Sequence, residues 1–359
     1  MSELNASNLR KEHGNEGPDL VGTTELTSPY YMVPPSGTTA ERPQNPEPGT
    51  LRFNTDIGSL EYFKGDVLGW ESINRTTPNL NGGARGLYAG GTTPSAATNR
   101  IGYLTIPTLG SAADFGDLTV ARYQLGGTAS RTRAVFNMGE VAGSPNWSNV
   151  IDYVTISSTG NAADFGDGLG QKMKASATGS ATRAIFQGGY VQNTVSYVTI
   201  PSTGNAIDFG DLTQNSERSS GLSSSTRAVR LGGRGPTSAY QNTIDYATIA
   251  TTGNYTDFGD ITTAAADGGA CSNSTRGIYF SGYSDASSNV IEYITIATTG
   301  NASDFGDIAT ARAYSTAVSS PTRALNMGGF VIPATATNII DYIEIASTGN
   351  ASDWGDIDT

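Results

Sequence analysis

One stretch occurs six times in this chain, and this repetition limits the folds that the chain can adopt. The clearest copy, residues 293–307, reads Tyr-Ile-Thr-Ile-Ala-Thr-Thr-Gly-Asn-Ala-Ser-Asp-Phe-Gly-Asp. Its last residue recurs at intervals of 44 to 50 residues, as Asp117, Asp167, Asp211, Asp260, Asp307 and Asp356. An Arg followed by a short apolar run and Gly keeps the same irregular intervals, at Arg85, Arg133, Arg183, Arg227, Arg276 and Arg323. Periods of this length predict a solenoid or a propeller.

Each repeat contains four strand candidates, named a to d. Strand a is small and polar, strand b is apolar and begins at the repeated Arg, strand c alternates, and strand d is short and centred on Asp-Phe-Gly-Asp. Four short strands per repeat predict a propeller blade, so we predict an all-β protein with a six-bladed β-propeller over residues 76–359. A parallel β-helix with two rungs per repeat is the alternative fold.

A Gly pair after strand b resembles the kelch repeat, as in Gly90-Gly91, Gly232-Gly233 and Gly328-Gly329. The Trp that a kelch repeat carries later in each unit is missing, so the predicted propeller is kelch-like. The array begins with strand a, from Pro78 to Ala84, and ends with strand d. We therefore expect the first and last blades to meet by packing alone, unless the N-terminal residues join them.

The repeated residues between strands c and d have predicted structural roles. Thr-Gly-Asn suits a tight turn with positive φ, which Gly and Asn tolerate. The aromatic residue of Asp-Phe-Gly-Asp is expected to fill the space between neighbouring blades, and the Gly beside it to permit close backbone approach. The Asp carboxylates are candidate calcium ligands, turn caps or partners of the repeated Arg. Six Arg and six Asp that recur in phase favour Arg–Asp pairing, so no metal site is expected.

Composition excludes several classes of partner. Of 359 residues, 45 are Gly and 15% are charged, which is typical of turn-rich β structure. The net charge of −12 repels phosphate backbones and anionic lipid, so neither nucleic acid nor a membrane surface is an expected partner. No apolar run approaches the length of a transmembrane helix, and the first residues lack the apolar region of a secretory signal.

Histidine and cysteine are too scarce for most catalytic sites. Cys271 is the single cysteine and His13 the single histidine, which argues against a disulfide, an imidazole copper site and a Ser-His-Asp triad. A carboxylate pair for glycoside hydrolysis stays formally possible among the 33 acidic residues. Because these residues recur with the repeat, as scaffold residues do, we expect a chain that is not an enzyme and needs no cofactor.

The connections between strands b and c differ in length and sequence, whereas the c–d turns are nearly constant. In a four-stranded blade the b–c and d–a connections leave on one face, so this variation is the pattern of a recognition surface. Trp147 and Tyr240 are the candidate binding residues on that face, for stacking on a sugar or for contact with a protein. Weak constraint on the loops explains the variation equally well.

The first 75 residues are expected to attach the chain to other proteins. Residues 1–35 lack strand or helix periodicity and predict an extended arm, whereas residues 36–75 predict a small three-stranded β-meander. In the meander Leu51 and Phe53 alternate with Arg52 and Asn54, as in a half-buried strand. A segment of about 40 residues rarely folds alone, and we therefore expect the meander to pack on copies of itself or on a larger assembly. The predicted anchors are Tyr30, Tyr31, Met32, Phe53, Tyr62 and Trp70.

The meander also carries a family resemblance. Ala40-Glu41-Arg42-Pro43, then Gly49, Arg52-Phe53-Asn54-Thr55 and Trp70, resembles a small module of tailed-bacteriophage virion proteins, especially tail fibres and other appendages. The Gly/Thr/Ser-rich propeller repeats are similar in type to those of marine and cyanobacterial phages. The resemblance implies a structural protein that is assembled into virions in the bacterial cytoplasm, binds other virion proteins and is a homo-oligomer, with a trimer favoured.

These observations lead to one expected function and two alternatives. We expect the N-terminal part to anchor the chain in a virion and the propeller to recognise a glycan or a protein on the host surface, where several copies add avidity. The first alternative is an architectural decoration, neck or cement protein that binds no host. The second is a kelch-like cellular scaffold or calcium-dependent lectin, whose thermal stability would fall in EDTA.

Overall fold

The computed structural model describes residues 34–56, 59–67, 69–73, 85–93, 96–142, 146–280, 282–332 and 335–357. These residues form β-strands and one short 3-10 helix, Thr39–Glu41, and they include no helix long and apolar enough to cross a membrane. The chain divides into two compact units, Met1–Thr76 and Thr77–Thr359. The predicted anchors Tyr30, Tyr31 and Met32 and the predicted first strand a lie outside the described residues.

The first unit contains one four-stranded sheet, called here the N-terminal sheet. Its strands are β1 (Ser36–Gly37), β2 (Leu51–Asn54), β3 (Ser59–Phe63) and β4 (Trp70–Ser72), in the order β1-β2-β3-β4. The three predicted strands are present and antiparallel, and β1 adds a parallel edge strand that the sequence pattern did not predict.

The two faces of the N-terminal sheet differ from the predicted pattern. Arg52 and Asn54 on β2 are buried, whereas Leu51 and Phe53 are only partly buried. The polar face is covered because residues 38–42 fold over it: the Arg52 guanidinium donates to the Thr38 carbonyl oxygen at 2.9 Å. Within this chain the polar side of β2 is therefore the covered side, which the alternation in the sequence did not indicate.

In its described residues the second unit contains six small antiparallel sheets, one for each repeat and called here sheets 1 to 6, and a separate two-stranded hairpin. Sheet 1 contains β5 (Arg85–Ala89), β6 (Arg100–Thr105) and β7 (Ala113–Asp117). Sheet 2 contains β8 (Gly126–Ala129), β9 (Arg133–Glu140), β10 (Trp147–Thr155) and β11 (Ala163–Lys172). Sheet 3 contains β12 (Ser176–Gly179), β13 (Arg183–Gln187), β14 (Thr194–Thr199) and β15 (Ile207–Asp211).

Sheets 4 and 5 repeat this four-stranded order, and sheet 6 adds a hairpin. Sheet 4 contains β16 (Ser220–Ser223), β17 (Arg227–Leu231), β18 (Thr243–Thr248) and β19 (Thr256–Asp260). Sheet 5 contains β20 (Gly269–Ser272), β21 (Arg276–Phe280), β22 (Val290–Thr295) and β23 (Ser303–Asp307). Sheet 6 contains β24 (Thr316–Ser319), β25 (Arg323–Met327), β28 (Ile339–Glu344) and β29 (Ser352–Asp356), and the small hairpin is β26 (Phe330–Val331) and β27 (Thr335–Ala336). Because the described strands within each repeat pair antiparallel, a parallel β-helix is excluded.

A bulge next to the Asp-Phe-Gly-Asp motif changes the predicted alternation of strand c. In sheet 4, Ile244 pairs with Gly259 and Asp245 pairs with Asp257, so Phe258 is an extra residue in the outer strand. Ile244 and Asp245 are consequently both buried, although they are neighbours in one strand. Every repeat sheet has the bulge at the same place.

Successive sheets are joined at the c–d turn, as sheets 4 and 5 illustrate. The Gly300 N–H donates to the Phe258 carbonyl oxygen at 2.7 Å, and the Asp260 N–H donates to Oδ1 of Asn301 at 3.0 Å. A Cβ placed on Gly259 would lie 2.5 Å from the Gly300 carbonyl oxygen. Phe258 is buried in a cluster with apolar residues of sheet 5, including Ile294. The predicted roles of the aromatic residue and of the Gly beside it are confirmed.

The turn itself uses its two residues differently from the prediction. Gly300 has φ near +154°, whereas Asn301 does not have positive φ and contributes its side-chain oxygen to the preceding sheet. The same Asn contact joins sheets 1 to 6 at the five internal junctions, through Asn161, Asn205, Asn254, Asn301 and Asn350.

Sheet 6 also contacts sheet 1. Leu104 and Ile106 of sheet 1 share an apolar cluster with Met327 and Trp354 of sheet 6. The Ala112 N–H donates to the Asp356 carbonyl oxygen at 3.0 Å, and β24 lies against β5. This junction is looser than the others, because a Cβ on Gly355 would lie 3.3 Å from the nearest backbone atom, and Ser111 stands where the other turns have Asn.

Candidate functional site

The six repeated Arg residues join neighbouring sheets. Each guanidinium donates from Nη1 to a carbonyl oxygen of the next sheet and lies over a Tyr ring of its own sheet. The carbonyl acceptors, at 2.7–3.2 Å, belong to Ile156, Ile200, Ile249, Ile296, Ile345 and, for Arg323, Pro107. The rings belong to Tyr103, Tyr153, Tyr197, Tyr246, Tyr293 and Tyr342. These arginines therefore hold the array together.

The predicted pairing of these arginines with the repeated Asp residues is wrong. In the described part of the chain none of the six Asp carboxylates forms an ion pair with a repeated Arg. Five of these Asp residues act through the backbone instead, by donating their N–H to the Asn of the next turn. The described residues also contain no group of three or more His, Cys, Asp or Glu side chains that could hold a metal ion.

Buried ion pairs do exist, at positions that the repeated Arg and Asp did not indicate. Asp152, Asp245 and Asp341 on the third strand of their sheets are paired with Arg122, Arg230 and Arg312 at 2.6–2.8 Å, with both side chains almost fully buried. The sequence Ile-Asp-Tyr, which occurs in three repeats, marks these Asp residues. Their Arg partners do not share one position: Arg230 lies on the second strand of sheet 4, whereas Arg122 and Arg312 lie in the connections before the first strands of sheets 2 and 6. These pairs support the scaffold and do not face solvent.

A second repeated feature is a series of five residues with strained backbone, called here the collar residues. They are Gln124, Lys174, Arg218, Asp267 and Tyr314, each two residues before the first strand of sheets 2 to 6. All five have φ between 54° and 60°, a left-handed conformation that costs a non-Gly residue about 1–2 kcal/mol. Non-Gly residues rarely adopt it, and such strain concentrates at binding sites.

Backbone hydrogen bonds link each collar residue to the next. The N–H of Lys174 donates to the Gln124 carbonyl oxygen, and that of Arg218 to the Lys174 carbonyl oxygen, both at 3.0 Å. Asp267 continues the chain to Arg218 at 2.9 Å, and Tyr314 to Asp267 at 2.8 Å. The backbone of five successive repeats is thus fixed in one conformation, whatever the side chain.

A second set of positions lies beside the collar and is called here the rim residues. They directly follow a Gly at the end of the second strand (Gly139, Gly189, Gly233, Gly282 and Gly329) and are Glu140, Tyr190, Arg234, Tyr283 and Phe330. Each rim residue forms a backbone hydrogen bond with the residue just before the collar residue of its own sheet, as Tyr283 does with Ala266. The collar and rim residues together are called the collar face. This contact confirms that the d–a and b–c connections lie on the same side of a sheet.

The side chains of the collar face differ from repeat to repeat. Tyr240, Tyr283, Tyr314 and Phe330 form a row of ring contacts across sheets 4 to 6, with centroids 5.9–6.4 Å apart. Tyr314 is 42% exposed and Phe330 is 37% exposed. An identical backbone that carries different side chains is a way to display a specific surface on a repetitive scaffold.

Charged side chains flank this row. Arg218 donates from Nη1 to both carboxylate oxygens of Asp267, at 3.0 and 3.2 Å, and its guanidinium lies 5.7 Å from the Tyr314 ring centre. Burial raises the pKa of Asp267, and the facing Arg218 partly offsets this rise. Oε2 of Glu217 lies 3.6 Å from Nζ of Lys174, which adds a second ion pair beside that of Arg218 and Asp267.

The two predicted recognition residues belong to different clusters of this surface. Trp147 is the first residue of β10, partly buried, with its ring 5.2 Å from Tyr190, whereas Tyr240 contacts Tyr283 and Arg234. No ring contact joins Trp147 to Tyr240 among the described residues. No sequence signal marks Tyr314, because its position depends on a backbone angle and on neighbours from other repeats.

The predicted anchors of the N-terminal sheet lie on opposite faces. Phe53 and Tyr62 are partly buried on the open face, where Phe53 is opposite Leu60 and Tyr62 is opposite Leu51. Trp70 lies on the covered face, where its ring is 5.5 Å from Phe63 and beneath the guanidinium groups of Arg42 and Arg52, 5.7 and 5.9 Å away. Trp70 thus belongs to the internal packing of the sheet.

A cavity of about 180 Å³ lies between the first strands of sheets 2 to 6 and β5. Its lining is mainly small residues, and Cys271 is among them. Burial raises the pKa of Cys271 to about 12, so the thiol is protonated at neutral pH and a poor nucleophile. Cys271 is therefore not an activated nucleophile of this cavity.

Sequence comparison does not assign the chain to a family. The chain matches no protein-family model, and no curated protein matches it.

Proposed function

We propose that this chain is a virion structural protein of a tailed phage, a tail fibre or another appendage, that recognises a host surface through the collar face. In this proposal the six repeat sheets are the blades of a closed, kelch-like β-propeller, since each sheet contacts the next and sheet 6 contacts sheet 1. The protein is a binding module without catalytic activity.

One observation carries the proposal. Five collar residues share one strained backbone conformation and one hydrogen-bond pattern, yet they are Gln, Lys, Arg, Asp and Tyr. A position that serves only the scaffold favours Gly when φ is positive, as the c–d turns of this chain do. Five different side chains, each held at a cost in strain, support a role in recognition.

The N-terminal sheet supports the attachment part of the proposal. Its Arg42, Arg52 and Glu61 form a polar network on the covered face, and the two arginines belong to the stretch that resembles phage appendage modules. The opposite face leaves Leu51, Phe53, Leu60 and Tyr62 partly exposed. An uncovered apolar face on a small sheet is suited to contact with a second copy or with another virion protein.

The test is competition between the purified chain and the phage that encodes it for adsorption to host cells. We expect the purified chain to reduce adsorption, and a variant with Tyr190→Ala, Tyr314→Gly and Phe330→Ala on the collar face to compete poorly. Ile207→Ala is the control, because Ile207 is an exposed apolar residue of a fourth strand, away from the collar positions. If the purified chain does not compete at any concentration, host recognition is wrong.

The same particles distinguish the alternatives. Antibodies against the chain should label intact virions in electron micrographs. Labelling without any effect on adsorption would favour an architectural protein, and absence of labelling would favour a cellular scaffold or lectin. In the lectin case EDTA should lower the melting temperature, whereas the proposed protein should melt at the same temperature with and without EDTA.

A further inference from the structure

We propose that the row of rings on sheets 4 to 6 is a glycan-binding site centred on Tyr314, in which a pyranose ring packs on the aromatic row and its hydroxyl groups bind Arg218 and Asp267. This inference deepens the proposed function, since it names the class of ligand that the collar face would take. This site on the collar face is called here the Tyr314 site.

The aromatic part of the site is built from three different repeats. The Tyr283 and Tyr314 rings are stacked, with an interplanar angle of 27°, and Phe330 meets Tyr314 edge to face. Rings held by other rings lose little rotamer freedom when a ligand binds, so their apolar surface is available at low entropic cost. The aliphatic face of a sugar is the kind of surface that packs on such rings.

The polar part of the site is a fixed donor beside a fixed acceptor. Arg218 contacts Asp267 through Nη1, and Nε of Arg218 has no hydrogen-bond partner although its side chain is only 16% exposed. The Glu217 carboxylate lies between two cations, with Oε1 3.9 Å from Nε of Arg218 and Oε2 3.6 Å from Nζ of Lys174. Sugar hydroxyl groups donate and accept at once, so they can bind the exposed edges of both Arg218 and Asp267, whereas a purely anionic or cationic ligand is attracted by one and repelled by the other.

The row of aromatic rings is also confined to three of the repeats. The equivalent positions in sheets 2 and 3 hold Gln124 with Glu140, and Lys174 with Tyr190, which do not continue the ring row. Scaffold residues such as the repeated Arg keep their contacts in every sheet, whereas the row of ring contacts occurs only on sheets 4 to 6 among the described residues. A protein interface needs about 800 Å² per partner with an apolar core, and a single row of rings bordered by charge pairs suits a smaller amphipathic ligand better.

The experiment uses the full chain and an array of immobilised pyranose oligosaccharides, both neutral hexose oligomers and oligomers that contain uronic acid. We expect binding to at least one oligosaccharide, with Tyr314→Gly lowering the affinity about tenfold and Tyr314→Phe changing it less than about threefold. Gly suits the positive φ at this position, so loss of binding by Tyr314→Gly would reflect loss of the ring. Unchanged melting temperatures confirm that both variants are folded.

The control is Ile207→Ala, which removes an exposed apolar side chain from the fourth strand of sheet 3, away from the collar face. Binding should be unaffected by this change. Equal loss of affinity in Ile207→Ala and Tyr314→Gly, or binding to no oligosaccharide, would overturn the Tyr314 site. Lipopolysaccharide and capsular polysaccharide, added separately as competitors, identify the natural source of the sugar.

The adsorption assay separates failure of this inference from failure of the proposed function. Suppose that Tyr314→Gly no longer competes for host cells but the wild-type chain binds no oligosaccharide. Recognition by the collar face then stands, and the ligand is a protein, so only the glycan inference is wrong. If neither the wild-type chain nor any variant competes, the proposed function itself fails.

Discussion

At the residue scale, the main finding is that repeated positions serve through their backbone and variable positions through their side chains. The repeated Asp residues donate a backbone N–H to the next sheet, whereas the collar residues keep one backbone and change their side chain. The backbone strain at the collar should therefore lower the free energy of unfolding by a measurable amount. Gln124 is the suitable residue for this measurement, because its side-chain Oε1 is buried without a hydrogen-bond partner and substitution loses no hydrogen bond to that atom.

We expect Gln124→Gly to be more stable than Gln124→Ala by roughly 0.5–1 kcal/mol. Both variants remove the side chain, but only Ala keeps the left-handed strain of about 1–2 kcal/mol, which the greater freedom of Gly in the unfolded chain partly offsets. Urea denaturation of both variants measures the difference. Equal stabilities, or a more stable Ala variant, would show that the collar is not strained.

Glu61 makes the N-terminal sheet sensitive to acid. It accepts hydrogen bonds from Arg42 at 2.6 Å, from Arg52 at 3.2 Å and from Asn54 at 3.1 Å. The Arg42 hydrogen bond, which outweighs the effect of burial, lowers the pKa of Glu61 below its ordinary value of 4.5. A lowered carboxyl pKa contributes stability that is complete above the unfolded value and is lost as the pH falls through the folded value.

We therefore expect amide protection in β2 and β3, measured by hydrogen exchange and corrected for the intrinsic rate, to fall as the pH drops below 4.5. Glu61→Gln should show low protection at all pH values, because it leaves buried Arg52 without its counter-charge at a cost of about 3–5 kcal/mol. Protection that stays constant down to pH 3 in the wild-type chain would contradict this role of Glu61.

At the element scale, the six sheets differ mainly in how they meet. Each internal junction has two backbone hydrogen bonds at the c–d turn and an Asn side-chain bond, whereas the described turn between sheets 6 and 1 has the single Ala112 to Asp356 backbone bond. The contact of the repeated Arg with a carbonyl oxygen is common to all six junctions. Ser111 replaces Asn at the junction between sheets 6 and 1. Trp354, in place of the Phe of the other repeats, fills the wider space there.

We expect Ser111→Asn to raise the free energy of unfolding by about 1 kcal/mol, because its side-chain oxygen would accept the Asp356 N–H. Asn254→Ser, at the junction of sheets 3 and 4, is the reciprocal control and should lower stability by a similar amount. Thermal and urea denaturation measure both. Loss of stability in Ser111→Asn would mean that the junction differs from the others in geometry as well as in sequence.

At the scale of the whole molecule, the two units have different roles in the proposed function. The open face of the N-terminal sheet combines Leu51, Phe53, Leu60 and Tyr62, which alternate with buried polar residues. This reverses the usual arrangement, in which the apolar side of a strand is covered within its own domain. The proposed partner for this face is a second copy of the same sheet.

We expect the full chain to be an oligomer in solution, with a trimer favoured, and the double variant Phe53→Asp and Tyr62→Asp to be a monomer. A buried interface loses its stability when carboxylates replace apolar side chains, because each charge must be desolvated. Val67→Asp is the control, since Val67 is 97% exposed in a turn of the same unit. Light scattering measures the mass, and a monomeric wild-type chain would mean that assembly requires another virion protein.

Local signals in the sequence predicted much of the fold. The repeats determined the number of sheets, the order of strands within each repeat and the positions of Phe258 and Gly259, because these depend on neighbours within a few residues or on the next turn. The order of strands alone also predicted that the b–c and d–a connections lie on the same side of each sheet. Short-range pattern is sufficient for such features.

Other features were decided by the tertiary structure. Arg227 bonds to the Ile296 carbonyl oxygen, 69 residues away, and a carbonyl acceptor leaves no signal in the sequence, which is why an Asp seemed the better partner. Arg52 is buried because residues 38–42 satisfy its hydrogen bonds, a contact that hydrophobic alternation does not include. The Tyr314 site likewise depends on a backbone angle and on rings from three repeats. Sequence determines which groups are present, but only the packed chain determines which of them meet.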